Sequence, residues 1–224
     1  MDTVSFGRTG LKVSRLCFGT MTIGSSDWKP WVLDEDKARP LLRKCLDLGI
    51  TFFDTANWYS TGESERVLGN VLLKMQPRDR LVIATKAYYP MSEDPNDRGL
   101  SRLHILREID KSLSRLQTDY IDIYLLHQPD RTTPADALCA RMHGLVEAGL
   151  IRYWGVSNHE PQMVEALLAA VVGLEQPVDE GPALLRLHAL ELLVGKELGL
   201  VRVGDVLELW REERQAEAAA VQQC

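Results

Sequence analysis

The stretch FFDTANWYSTGESERVLG, residues 52–69, ends a short apolar run on an aspartate, follows it with two aromatics and a glycine-bearing turn, and then enters a helical pattern. An ionised carboxylate is costly to bury alone, so Asp54 at the tip of an apolar strand calls for a partner. Two other apolar runs end in the same manner, LVIATK on Lys86 and YIDIYLLH on His127. Three ionisable side chains therefore close three separate strands.

The runs belong to a longer alternation. Apolar segments at 16–19, 51–54, 81–86, 120–127 and 151–157 are separated by helical patterns at 36–48, 103–116, 133–147 and 161–172. In the first helix Ala38, Leu41, Leu42, Cys45 and Leu46 recur at helical spacing, and Gly49 follows as a C-cap. In the second, Leu103, Leu106, Ile109, Leu113 and Leu116 form the apolar stripe, and Arg107, Glu108 and Lys111 are expected to face outward. The strands are hydrophobic on both faces, as in a sheet covered on both sides. Alternation with a repeat of roughly 25–40 residues indicates a parallel sheet, doubly wound or closed into a barrel. A turn between Gly7 and Gly10 predicts an opening β-hairpin. Beyond Gly173 the pattern loosens to a weak strand at 177–182, a leucine-rich helix at 183–198, a short strand at 200–203 and a charged helix at 205–223. A generous count reaches seven parallel strands.

The bulk numbers fit one large α/β domain or two small ones. The chain has 224 residues, is 45% hydrophobic and carries a net charge of −6, with Lys and Arg scattered, which argues against nucleic-acid binding. No window approaches a membrane span, and MDTVSFGRTGLKVSRLCFG lacks the apolar core of a signal peptide; the cytoplasm is the expected compartment. Cys17, Cys45, Cys139 and Cys224 form no paired motif and read as residues of a reduced protein. No His or Cys cluster has ligand spacing, so no metal site is expected. His104, His143, His159 and His188 lie on helices or helix starts and read as solvated or structural.

In a parallel barrel the C-terminal strand ends share one rim, so Asp54, Lys86 and His127 would converge there, with Tyr59 just beyond. That set suits proton donation to a carbonyl oxygen. A tyrosine keeps its proton at neutral pH, a neighbouring Lys86 ammonium would lower the phenol toward the working range, and Asp54 would keep that lysine charged. His127 would orient the carbonyl. Nothing in the set supplies a hydride, which requires a nicotinamide cofactor, and no GxGxxG follows a strand. Trp28, Trp31, Trp58 and Tyr88 fall on rim loops, where they could wall an apolar substrate pocket or pack on one another.

FFDTANWYSTGESERVLG, ATK, GLSRLHILREIDKSLSRLQTDYIDIYLLHQPD and IRYWGVSN, in this order, resemble the aldo-keto reductase family, and most closely its branch with bacterial reductases and potassium-channel β-subunits. The resemblance implies a (β/α)8 barrel of TIM type, NADPH as cofactor, and reduction of an aldehyde or ketone. It implies Asp54, Tyr59, Lys86 and His127 as the catalytic set. Cofactor contacts would come from Gly19, Thr20, Met21, Asp54, Ser157 and Asn158, and substrate contacts from Trp58, Tyr88 and His127. The partner would be a small carbonyl compound, with neither nucleic acid nor membrane, and a homo-oligomer is compatible with it.

Residues 1–168 carry the match, and 169–224 diverge from it within what is expected to be one domain over 1–224. The family's sixth-strand glutamine falls on Gly181 and its following Tyr-Asn on Leu184 and Leu185; the serine-proline-leucine turn after the seventh strand is replaced by Gly204-Asp205-Val206. The barrel is therefore expected to be incomplete at strands seven and eight. The competing expectation is a catalytically impaired binding protein, truncated or regulatory. A barrel completed by a second chain is a third.

Overall fold

In the computed structural model, residues 1–7, 9–174 and 200–201 are described. The chain opens with an antiparallel hairpin, β1 (Thr3–Ser5) and β2 (Lys12–Ser14), in register Val4↔Val13. Strand and helix then alternate as β3 (Cys17–Gly19), α1 (Glu35–Asp47), β4 (Phe52–Asp54), α2 (Glu63–Met75), β5 (Val82–Ala87), α3 (Arg102–Leu116), β6 (Ile121–Leu126), α4 (Ala135–Glu147), β7 (Ile151–Val156) and α5 (Pro161–Leu174). Strands β3 to β7 pair in parallel with their neighbours in sequence, and β8 (Leu200–Val201) adds in parallel to β3, in the order β7-β6-β5-β4-β3-β8. This is the α/β, (β/α)8-barrel class of architecture. Pairing of Leu200 with Cys17 and of Val201 with Phe18 answers the short strand predicted at 200–203. The other elements expected after residue 174 lie outside the described residues, as does the junction that would join β7 to β8.

Helix limits follow local chemistry. The Asp34 side chain caps α1 by accepting from Lys37 N at 3.0 Å, and Ser101 caps α3 by accepting from His104 N at 3.2 Å. Helix α3 stops at Gln117, which adopts a left-handed φ of 55°.

Strand parity sorts the apolar residues into two layers. Phe18, Phe53, Ile83, Tyr124, Leu126, Trp154 and Val156 point outward and pack with the helices, including Leu42 and Cys45 of α1, Leu68 and Leu72 of α2, and Ile105 and Ile109 of α3. Cys17, Phe52, Ala84, Ile123 and Leu125 point inward and pack with Phe6 and Val13 of the hairpin. Phe6 meets Phe52 edge-on at 5.6 Å, so the hairpin closes the inner layer at the beginnings of the strands. Each fully buried Phe, Ile or Leu contributes about 1.5–3 kcal/mol.

One expectation about α3 is overturned. Glu108 does not face outward: it has no exposure, because it turns toward the loop after β4, where Asn57 donates to it, and pairs with Lys111 and Arg115 of its own helix. His104 is equally buried.

Candidate active site

The inward parity that places Phe52, Ala84, Ile123 and Leu125 in the inner layer continues, two residues later, to Asp54, Lys86 and His127. Strand register sets Asp54 opposite Ala84 and Lys86 opposite Leu125, so Lys86 and His127 each lie two positions further along than the residue before them in the set. All three are buried, at 6%, 5% and 7% exposure.

Lys86 is the hub. Its Nζ donates to Asp54 Oδ2 at 2.7 Å, to the Thr55 carbonyl at 2.7 Å and to Tyr59 Oη at 3.3 Å. Burial alone would depress the ammonium, but Asp54 and Tyr59 outweigh it and hold the group above its ordinary value. Asp54 is thereby paired, which answers the question posed by a carboxylate at an apolar strand tip. Tyr59 differs from expectation. Burial raises its phenol, and the Lys86 charge offsets only part of that, so the net direction is up and not down toward the working range. His127 is pushed down to about 3 by burial first and by the Lys86 ammonium second. It is therefore a neutral imidazole, whose Nδ1 has no hydrogen-bond partner among the described residues. The Tyr59 and His127 rings meet edge-on at 5.9 Å.

The turn carrying Tyr59 is unusual. Ser60 and Thr61 both adopt left-handed φ, 52° and 53°, and Gly62 follows at 94°. Side chains with a Cβ resist that region, so the loop is held by contacts: Ser25 N donates to Ser60 Oγ at 3.2 Å and Asn57 N to the Lys86 carbonyl at 3.1 Å.

Around this centre stands a chain of aromatics. Trp31 packs on Trp28 at 6.1 Å, Trp28 on Trp58 at 5.3 Å, Trp58 on Tyr89 at 4.6 Å, and Tyr89 on His127 at 4.9 Å. Tyr89 is the residue that sequence reasoning missed in favour of Tyr88. Tyr88 packs instead with the outer layer and touches Tyr89 at 5.6 Å, while the Tyr89 hydroxyl accepts from Gln128 Nε2 at 2.7 Å.

The residues expected to hold a cofactor divide by environment. Thr20 is fully buried; its N–H and hydroxyl donate to the Asp54 carbonyl at 2.9 and 3.1 Å, and the hydroxyl also meets Ser64 Oγ at 2.9 Å. It braces the turn after β3, while Gly19 is half-buried and Met21 is exposed. Asn158 sits beyond β7 with φ 60°, donating its side-chain amide to the His127 carbonyl at 2.9 Å and to Ser157 Oγ at 3.0 Å. Its Oδ1 is left to accept from an amide donor, which suits a carboxamide.

The fold also assembles a cluster that linear spacing conceals: Asp97, His104 and Glu108 lie with ligand atoms within 4.8 Å of one another. The cluster already contains a cation, since Lys111 Nζ is 2.7 Å from Glu108 and 3.6 Å from Asp97. Among the described residues no helix is long and apolar enough to cross a membrane.

A sequence model described as the Aldo/keto reductase family matches residues 15–176. The chain is 39% identical over 181 residues to aldo-keto reductase dtxS3 of Metarhizium robertsii, covering 70% of this chain and 49% of that protein. It is 42% identical over 168 residues to the uncharacterized oxidoreductase YrpG of Bacillus subtilis, covering 70% and 49%. It is 35% identical over 186 residues to a probable voltage-gated potassium channel subunit beta of Oryza sativa, covering 81% and 55%. The chain thus spans about half the length of these curated relatives.

Proposed function

The chain belongs to the aldo/keto reductase family, and from that premise we propose that it reduces an aldehyde or ketone to an alcohol with NADPH. The observation that carries the reading is the Lys86 ammonium, which bridges Asp54 at 2.7 Å and the Tyr59 hydroxyl at 3.3 Å beside a neutral His127.

Reduced nicotinamide would supply the hydride that goes to the carbonyl carbon. The protein's part is the proton. Tyr59, held neutral by burial, donates its hydroxyl proton to the carbonyl oxygen as the double bond is reduced, and Lys86 stabilises the phenolate left behind. Asp54 keeps Lys86 charged and aimed. His127, neutral throughout the physiological range, hydrogen-bonds the carbonyl oxygen without competing as an acid. Asn158 Oδ1 and Ser157 Oγ would hold the carboxamide, and Gly19 and Met21 would line the same cleft, with Thr20 fixing their turn. Trp58 and Tyr89 would wall the substrate's apolar body. The catalysed reaction would be read with purified chain, NADPH and an aldehyde such as 4-nitrobenzaldehyde. Tyr59→Phe should lower kcat by about 10²–10⁴-fold; turnover within a few-fold of the parent would overturn the assignment.

A second reading, a regulatory binding protein, is favoured by the likeness to the rice potassium-channel subunit. It predicts NADPH binding, by tryptophan quenching, with no turnover of any carbonyl.

A further inference from the structure

Behind the candidate site, Glu108 is a carboxylate with no solvent exposure on α3. Its Oε2 accepts from Asn57 Nδ2 at 2.8 Å and lies 3.4 Å from Arg115 Nη2, while Oε1 accepts from Lys111 Nζ at 2.7 Å. The lysine and asparagine bonds, with the Arg115 charge, hold the acid below its ordinary value against the opposing effect of burial. Asn57 is also fully buried. It stands two residues before Tyr59, and its own N–H is bonded to the carbonyl of Lys86.

Arg115 extends the network to the other side of Lys86. Its Nε donates to Glu65 Oε2 at 2.6 Å, and Glu65 Oε1 accepts from Thr85 Oγ1 at 2.6 Å. Two buried acids joined by one guanidinium thus grip Thr85, the residue before Lys86, and Asn57, at the root of the Tyr59 turn. Such a network is a weak source of stability, because desolvation offsets most of the attraction. What it supplies is position. The turn it anchors contains the left-handed Ser60 and Thr61, a conformation that persists only where the surroundings over-determine it, and the Tyr59–Lys86 contact at 3.3 Å depends on that turn.

We propose that Glu108, acting through Asn57, is a positioning residue for Tyr59, setting the separation of the phenol oxygen from the Lys86 ammonium without touching substrate or cofactor. The kinetic part of this inference rests on the reductase reading; the geometric part does not.

The test compares the full chain with Asn57→Ala, which removes the link but leaves Glu108 paired with Lys111 and Arg115. Ring-labelled tyrosine is followed by NMR, with Tyr59 assigned by Tyr59→Phe. Tyr59 resonances should move in the variant while those of Tyr120, just before β6, stay in place. With NADPH and 4-nitrobenzaldehyde, kcat should fall about tenfold or more with KM within a few-fold, and the isotope effect from deuterated cofactor should rise as the chemical step, hydride transfer coupled to proton donation, becomes limiting. A loss of folded fraction would lower kcat without changing the isotope effect. Unmoved Tyr59 resonances overturn the inference. A parent chain that turns over no carbonyl sinks the reductase reading, and the resonances still decide the positioning. Should the alanine variant not fold, Asn57→Ser, too short to reach Glu108, carries the same comparison.

Discussion

Lys86 serves two causes at once, because the charge that tunes Tyr59 is also the partner that makes Asp54 tolerable in the interior. Removing it has a cost separate from activity. Lys86→Met should destabilise the chain by about 3–5 kcal/mol, since a buried acid is left without its counter-charge. Adding Asp54→Asn should recover much of that loss, as read from urea midpoints. The pH dependence of the reaction follows from the phenol. Since Tyr59 lies above its ordinary value near 10, kcat for reduction should stay level through neutrality and fall only in strongly alkaline buffer, as checked by a pH–rate profile. Residue-scale legibility was uneven for a geometric reason. Asp54, Lys86 and His127 follow the period of two along their strands. Carrying that period past the strand end points to Tyr88, but β5 stops at Ala87, the parity breaks, and Tyr89 takes the place by Trp58 and His127.

At the scale of elements, helix packing yields two predictions of opposite sign from the same substitution. A Cβ at Gly69 of α2 would come within 2.5 Å of the Arg115 carbonyl of α3. Neither backbone can give way, so Gly69→Ala should cost about 1–3 kcal/mol. Gly144 of α4 has no atom within 4 Å of such a Cβ, and Gly144→Ala should gain roughly 0.5–1 kcal/mol from the helix's lower conformational entropy cost. Thermal unfolding of both variants decides it. The helices were legible because apolar spacing and stop signals agree, as in Leu41, Leu42, Cys45 and Leu46 of α1 with Gly49 after it. Glu108 was not, because an acid among Arg107 and Lys111 reads as solvated. Its partners Asn57 and Arg115 lie 51 and 7 residues away along the chain, and only the folded arrangement of α2, α3 and the β4 loop unites them.

For the whole molecule, three histidines lowered by desolvation begin the acid limb of stability. His127 has its folded value pushed down to about 3, and His104 and His159 are lowered as well, chiefly by burial. The unfolded chain takes up these protons near the ordinary value of about 6.5, so it binds more protons than the folded chain as pH falls below that point. Stability should therefore decline from about pH 6.5 downward, by up to about 1.4 kcal/mol per pH unit for each such group. His127→Asn should make that decline shallower, as measured by urea unfolding at pH 7 and pH 5. The strand–helix alternation and the hairpin were readable because each rests on local pattern. The pairing of β8 with β3 was not, because strand pairing between distant segments leaves no local trace; Leu200 meets Cys17 across nearly the whole chain.

The strictly sequential pairing of β3 through β7 bears on how the protein is made. Each new strand finds its neighbour already built, so the sheet can grow at one edge as the chain leaves the ribosome. Asp54, Tyr59, Lys86 and His127 all lie before β7, and their constellation can assemble during synthesis with no help from β8. Addition of β8 to β3 closes the longest loop in the sheet, and it can only follow synthesis of the strands that carry those four residues.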